Sequence, residues 1–242
     1  MGRKWNNIKY GKASKDAARS KIYARFGKEI YMAAKNGEPD VELNRNLASV
    51  VDRAKIAGVT RDIIDRAINK AKSGATENYE PIRYEGYGPS GSAIIVDALT
   101  DNVNRTVAEV RSAFKKNDGN MGVSGAVAFM FEPTALFVVT GLDEESVLEG
   151  LMEADVDVRD VEDNDGEISI LADNEQFHAL QMALIGMGIS EFEVADLTML
   201  PTTSNELIGE DLEKFMKLIG ALEELDDVTN VYHNVDLTDV EE

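Results

Sequence analysis

The apolar residues of the first 75 positions recur every three or four residues, which is the spacing of an amphipathic helix. Three such stretches follow one another: residues 14–36, residues 40–58, and a third stretch that Thr60 caps and Gly74 ends. Each apolar stripe needs a partner to be buried, and three adjacent stripes can bury one another. The pattern therefore predicts a small three-helix domain over residues 1–75.

Residues 135–194 have the pattern of a complete α/β unit. Their predicted order is strand, helix, strand, strand, helix, strand. The sequence Asp163-Asn-Asp-Gly166, between the second and third strands, is typical of a hairpin turn. This order is the split βαβ plan of ferredoxin-like domains.

A second α/β unit surrounds the first in the sequence. Strands are predicted at 93–99 and 126–131 with a helix between them, and a strand, a helix and a strand are predicted across 197–235. The chain is therefore predicted to be an α+β protein with an N-terminal three-helix domain and two ferredoxin-like α/β domains, the third inserted in the second. The predicted domains are 1–75, a basic helical domain with an N-terminal arm; 76–132 with 196–242, a discontinuous α/β domain; and 133–195, the inserted domain.

Charge is divided unevenly along the chain. Residues 1–75 hold 17 Lys and Arg against 8 Asp and Glu, a net of +9, whereas residues 76–242 hold 8 against 37, a net of −29. The basic section attracts polyanions, and the acidic section repels them. We therefore predict that the protein holds nucleic acid by its N-terminal end.

Residues 3–19, which we call the basic arm, contain Trp5, the single tryptophan of the sequence, with cations on both sides of it. Cations neutralise phosphates, and an aromatic ring stacks on an unpaired base. In the alternative interpretation, Trp5 packs on the helical domain and the cations are merely solvated. Four further cations, at positions 21, 25, 28 and 35, lie opposite the apolar face of the first helix. The predicted nucleic-acid-binding residues are Lys4, Trp5, Lys9, Lys12, Lys15, Arg19, Lys21, Arg25 and Lys28.

The segment 84–91 contains the pattern G-x-G-x-x-G, but its glycines precede a strand, whereas a dinucleotide site needs them before a helix. We predict a tight turn that positions Tyr84 and Tyr87, which either stack on bases or pack between domains. Together with Arg105, which belongs to a local basic patch, they form a predicted secondary nucleic-acid contact. The glycine-rich stretch 117–125 either cradles phosphate through backbone N–H groups or closes a sheet.

Other chemistry finds little support in the sequence. The chain has no cysteine, and its two histidines, His178 and His233, have no partners at metal-ligand spacing. No apolar run approaches the roughly 20 residues that span a bilayer. We therefore expect a cytoplasmic, non-enzymatic protein with no cofactor, no metal, no membrane contact and no small-molecule substrate.

Several segments of the chain resemble the YebC/PmpR family, which includes the mitochondrial translational activator of cytochrome oxidase. These segments are 2–9, 12–30, 84–91, 100–114, 119–131 and 226–234. The start Met-Gly-Arg-Lys-Trp is similar to the YeeN-type branch of the family. The resemblance covers essentially the whole chain. It implies a helical N-terminal domain, two α/β domains with the third inserted in the second, and a cytoplasmic, non-enzymatic regulator of gene expression.

The resemblance implies two alternative roles. One is transcriptional regulation by binding promoter DNA, and the other is a ribosome-associated translation factor that contacts ribosomal RNA. Structured RNA with unpaired bases is favoured on physical grounds, because no helix with base-reading side chains is evident. Two rival hypotheses remain: an acidic adaptor that binds basic proteins without a direct nucleic-acid role, and a small-molecule enzyme or sensor. The family contacts map onto Lys4, Trp5, Lys9, Lys12, Arg19 and Lys21, and less strongly onto 84–91 and Arg105.

Overall fold

The computed structural model describes the backbone of residues 15–237 and the side chains of residues 19–237. Within this part the chain forms two compact units. Unit 1 contains residues 22–74 and 133–199, and unit 2 contains residues 15–21, 75–132 and 200–237. Unit 2 is therefore discontinuous in sequence, and helix residues from the N-terminal section contribute to both units.

Three helices form the N-terminal section, as predicted. They are α1 (Lys15–Lys35), α2 (Arg45–Ile56) and α3 (Arg61–Lys72). Helix α2 begins later than the apolar pattern suggested, because the side chain of Asn44 caps it by accepting a hydrogen bond from the backbone N–H of Leu47 at 3.0 Å. The apolar stripes of the three helices are buried, with Phe26, Ile30 and Leu47 almost fully excluded from solvent.

The inserted part of unit 1 has the predicted ferredoxin-like order. Its elements are β4 (Phe131–Thr140), α5 (Glu144–Glu153), β5 (Asp160–Asn164), β6 (Glu167–Asp173), α6 (Phe177–Gly186) and β7 (Val194–Pro201). The strands lie in the order β5-β6-β4-β7, and β6 is antiparallel to both β4 and β5. The predicted hairpin turn is present, because Asp165 and Gly166 adopt the positive φ angles of a tight turn.

Unit 2 is a four-stranded antiparallel sheet that carries two helices on one face. Its elements are β1 (Glu80–Tyr87), β2 (Ala93–Thr100), α4 (Val103–Lys116), β3 (Asn120–Met121), β8 (Asn205–Glu206), α7 (Gly209–Glu223), β9 (Val228–His233) and β10 (Val235–Asp236). The sheet order is β3-β1-β2-β9, and β8 pairs with β10 separately. Phe114 of α4 and Phe215 of α7 pack against Ile94 and Val96 of β2 in one core.

Several predicted strand positions were wrong. Residues 84–87 of the turn predicted at 84–91 belong to strand β1, and the chain turns only at 89–91. The predicted strand 126–131 instead contains a 3₁₀ turn at 128–130. Of a strand expected at 189–194, only Val194 lies in a strand, as the first residue of β7. The strand expected near 197–202 corresponds to the rest of β7, which ends at Pro201. The α+β class with a discontinuous second α/β part is nevertheless confirmed, whereas the three separate domain boundaries stay a prediction.

Candidate nucleic-acid interface

Most of the predicted basic arm lies outside the described residues. Lys4, Trp5, Lys9 and Lys12 precede residue 15, and Lys15 begins α1 with its side chain outside the described set. Their roles as nucleic-acid contacts therefore stay predictions. The next residue of the predicted set, Arg19, is exposed.

Lys21 is half-buried and faces the acidic end of α7. Its Nζ is enclosed and has no hydrogen-bond partner among the described residues. Burial lowers the pKa of Lys21, and the nearby carboxylates of Glu223 and Asp226 partly oppose that shift. Burial likewise raises the pKa of Glu223, against the pull of Lys21. In this arrangement Lys21 lies in the field of carboxylates of unit 2, and its role as a nucleic-acid contact stays a prediction.

Arg25 belongs to a network of four charged side chains in unit 1. Its guanidinium donates to Asp196 of β7 at 2.9 Å and lies 3.3 Å from Glu29. Arg53 of α2 donates to the same two carboxylates at 3.0 and 3.1 Å. The arginine side chains are only 12% and 13% exposed, and Arg25 lies over the ring of Phe26. The network therefore fastens the helical section to β7.

Burial would raise the pKa of Asp196, but the charges of Arg25 and Arg53 outweigh it, so the pKa lies below its ordinary value. The carboxylate of Asp196 is thus held ionised between two arginines. Each of these cations is already neutralised by a protein carboxylate. Arg25, predicted from the sequence as a phosphate contact, has a structural role in this arrangement.

Exposed cations lie instead on α2 and α3. Arg61 and Arg66 of α3 have side chains 93% and 76% exposed, and each pairs with an exposed aspartate one turn away. Such exposed pairs are weak and leave the cation accessible to a phosphate. Sequence reasoning counted these residues in the net charge without singling them out. The exposed cations of these two helices are Arg45, Lys55, Arg61, Arg66, Lys70 and Lys72.

The glycine-rich loop after α4 does cradle an anion, and that anion is the carboxylate of Glu85. Backbone N–H groups of Gly125, Val127 and Ala128 each donate to Glu85 at 2.8 Å. Burial favours the neutral form of Glu85, yet the three donors outweigh it and lower its pKa. These three N–H groups are therefore occupied and do not face an external phosphate.

The two tyrosines of the segment 84–91 have different environments. Tyr84 is buried in the core of unit 2, and burial raises the pKa of its hydroxyl. Tyr87 is 38% exposed and donates from its hydroxyl to the carbonyl of Ala126 at 2.8 Å. Gly86 between them is needed because a Cβ there would lie 2.8 Å from the ring of Phe114. Tyr87, and not Tyr84, is placed where a base could reach it.

Arg105 is tied to two carboxylates. It donates to Asp101 at 2.9 Å and to the buried Asp227 at 2.6 Å, which together raise its pKa. Asp227 also lies within 3.0 Å of the hydroxyls of Thr100 and Thr106. The segment 100–106 therefore builds a polar network around Asp227, and the role of Arg105 as a nucleic-acid contact stays a prediction.

Residues 15–237 offer neither a membrane span nor a metal site. No helix in this part of the chain is long and apolar enough to cross a membrane. No group of three or more His, Asp or Glu side chains among the same residues is arranged to hold a metal ion.

Comparison with known proteins covers nearly the whole chain. A family model described as the TACO1/YebC protein N-terminal domain matches residues 3–74, and one described as the TACO1/YebC second and third domain matches residues 79–235. A solved structure, a conserved hypothetical protein Aq1575 from Aquifex aeolicus, is 35% identical with a TM-score of 0.80. The match covers 96% of each chain.

Proposed function

The chain belongs to the TACO1/YebC family, which supports a regulatory role in transcription or translation in general, and on this premise we propose that it binds nucleic acid directly. In this proposal the N-terminal arm and the exposed cations of α1, α2 and α3 contact the phosphate backbone. The α/β parts, with their surplus of carboxylates, face away from the nucleic acid or meet a basic protein surface.

The observation that carries the proposal is the placement of charge. Residues 1–75 have a net charge of +9, and exposed cations lie on all three N-terminal helices, at Arg19, Arg45 and Arg66 among others. Contacts of this type give affinity without base readout, because they reach only phosphates. We further propose that the protein acts without catalysis, on ribosomal RNA or promoter DNA, with RNA favoured.

The proposal is tested by the salt dependence of binding. Arg19→Glu should weaken binding of a structured RNA hairpin and reduce the slope of log K against log salt by about one for each phosphate that the variant no longer neutralises. Lys217→Glu is the matched control, because Lys217 is also exposed and the change in net charge is the same, but it lies on α7 in the acidic section. A duplex DNA of equal length decides between the two nucleic acids.

Equal slopes for the two variants would contradict a specific basic interface. Failure of the unaltered protein to bind either nucleic acid at low salt would end the proposal.

The adaptor hypothesis is favoured by one observation, the charge of the inserted part: residues 133–195 hold 16 Asp and Glu against a single arginine. That hypothesis predicts that deletion of residues 1–20 leaves capture of a basic protein partner intact.

A further inference from the structure

A loop of the acidic section carries no charged side chain, although its neighbours on both sides are acidic. Residues 119–131, which we call the neutral loop, lie between Asp118 and Glu132 and contain no Asp, Glu, Lys or Arg. The remainder of residues 76–242 is rich in carboxylates, which repel phosphates. The neutral loop is therefore a part of unit 2 that a polyanion can approach without meeting a like charge on the loop itself.

The neutral loop is held in place by backbone hydrogen bonds along its length. Glu85 binds three of its N–H groups, and the backbone N–H of Gly122 donates to the carbonyl of Glu85 at 2.8 Å. The hydroxyl of Tyr87 binds the carbonyl of Ala126, and Thr202 N–H donates to the carbonyl of Met130 at 2.8 Å. A loop fixed in this way loses little conformational entropy when a ligand binds.

This fixed loop exposes an aromatic ring. Phe129 is 76% exposed, although phenylalanine is ordinarily among the more buried residues. Tyr87 is 38% exposed and binds the same loop through the carbonyl of Ala126. It is the other aromatic residue among the exposed large hydrophobic side chains of residues 19–237. Two exposed aromatic residues thus occur together on an uncharged, fixed surface.

We propose that Phe129 is a stacking site for an unpaired nucleobase, presented by the neutral loop, with Tyr87 as a second aromatic contact. The inference rests on the proposed function and extends it to a second contact, far along the sequence from the basic arm. A phenylalanine ring offers a π face and no hydrogen-bonding group, so it accepts any base without reading its sequence. A paired base keeps its faces within the helix stack, so the expected ligand is single-stranded.

The test uses the full chain and an RNA hairpin that carries 2-aminopurine in its unpaired loop, a base whose fluorescence falls when it stacks. Phe129→Ala should lower the affinity about tenfold and abolish the quenching, with no change in the salt slope, because no cation is removed. Phe129→Trp should retain both. Met152→Ala is the matched control, because Met152 is 80% exposed on α5 and lies outside the neutral loop.

Three outcomes would overturn the inference. The first is wild-type affinity and quenching in Phe129→Ala. The second is an equal fall in affinity in Met152→Ala. The third is failure of Phe129→Ala to capture a protein partner while its RNA binding is unchanged, which would make Phe129 a protein contact. In each of these, a salt slope reduced by Arg19→Glu would still support the proposed function, whereas absence of any RNA binding would refute both.

Discussion

The carboxylate of Glu85 should be an important internal support of unit 2, and Glu85→Gln tests this with almost no change of shape. Glu85 is 4% exposed and accepts three backbone hydrogen bonds, one on Oε1 from Gly125 and two on Oε2 from Val127 and Ala128. Glutamine offers one oxygen and one NH₂ group in the same positions. The better orientation keeps the oxygen toward Val127 and Ala128 and turns the NH₂ group toward the N–H of Gly125.

The expected cost follows from this geometry. The hydrogen bond from Gly125 is lost, because two N–H donors then face each other. The hydrogen bonds from Val127 and Ala128 remain, but their acceptor no longer carries a negative charge. Hydrogen bonds to charged groups contribute roughly 1.5–3 kcal/mol each, and neutral ones about 1 kcal/mol. Removal of one charged bond and weakening of two therefore predicts a fall of about 3 kcal/mol in the free energy of unfolding. Glu85→Ala should cost more, because three buried N–H groups would then have no acceptor.

The assay is urea denaturation at neutral pH, together with hydrogen exchange at the amides of Gly125, Val127 and Ala128. Those three amides should exchange faster in Glu85→Gln, while amides of β6 in unit 1 should not. Glu213→Gln is the matched control, because Glu213 on α7 undergoes the same chemical change outside the Glu85 cradle. Two results together would contradict this role of Glu85: unchanged protection of the three amides, and a free energy of unfolding within about 0.5 kcal/mol of that of the unaltered protein. Ordinary surface substitutions change the free energy of unfolding by about that amount or less.

Two further predictions concern buried charge. Burial lowers the pKa of His233 from 6.5 to about 4, so between these pH values the unfolded chain binds more protons than the folded one. The free energy of unfolding should therefore fall as the pH drops from 6.5 to 4, by about 3 kcal/mol at most. His233→Gln should remove that part of the pH dependence, and identical pH profiles of the two proteins would contradict this. Asp196→Asn leaves Arg25 and Arg53 with Glu29 as their remaining carboxylate in the network, so the free energy of unfolding should fall by about 2 kcal/mol. Urea denaturation measures this change. An unchanged denaturation midpoint would show that the network does not stabilise the fold.

Local periodicity was sufficient to predict the helices. Helices α1, α4 and α5 lie within one residue of the helices that periodicity predicts at 14–36, 103–117 and 144–153. Each buries a stripe of apolar residues, and local polar residues mark its ends. Asn102 caps α4 and Asp143 caps α5 in this way. Because these signals lie within a few residues of the helix that they delimit, they can be recognised from the sequence alone.

Strand β1 could not be predicted because its signals are contradictory. Pro81 and Gly86 are poor strand formers, and Glu85 is an acid on a buried position. Glu85 is satisfied by residues 40 or more positions later, and Gly86 is required by the ring of Phe114. The predicted strand at 126–131 failed for the same reason: two of its N–H groups bind Glu85 and are not available to a neighbouring strand.

The candidate site shows why net charge predicts an interface only in outline. Periodicity placed Arg25 opposite the apolar stripe of α1, yet its side chain is only 12% exposed, because it pairs with Asp196, 171 residues later in the chain. Since Asp196 also neutralises Arg53, one carboxylate of the acidic section reduces the positive field at two cations of the basic section. In the proposed function, the attraction for a polyanion would come from cations whose partners are themselves exposed, such as Arg61 and Arg66 of α3, together with the arm. A count of charges along the sequence predicts which end of the chain would attract a polyanion, whereas only the pairing of side chains identifies which cations are accessible to a phosphate.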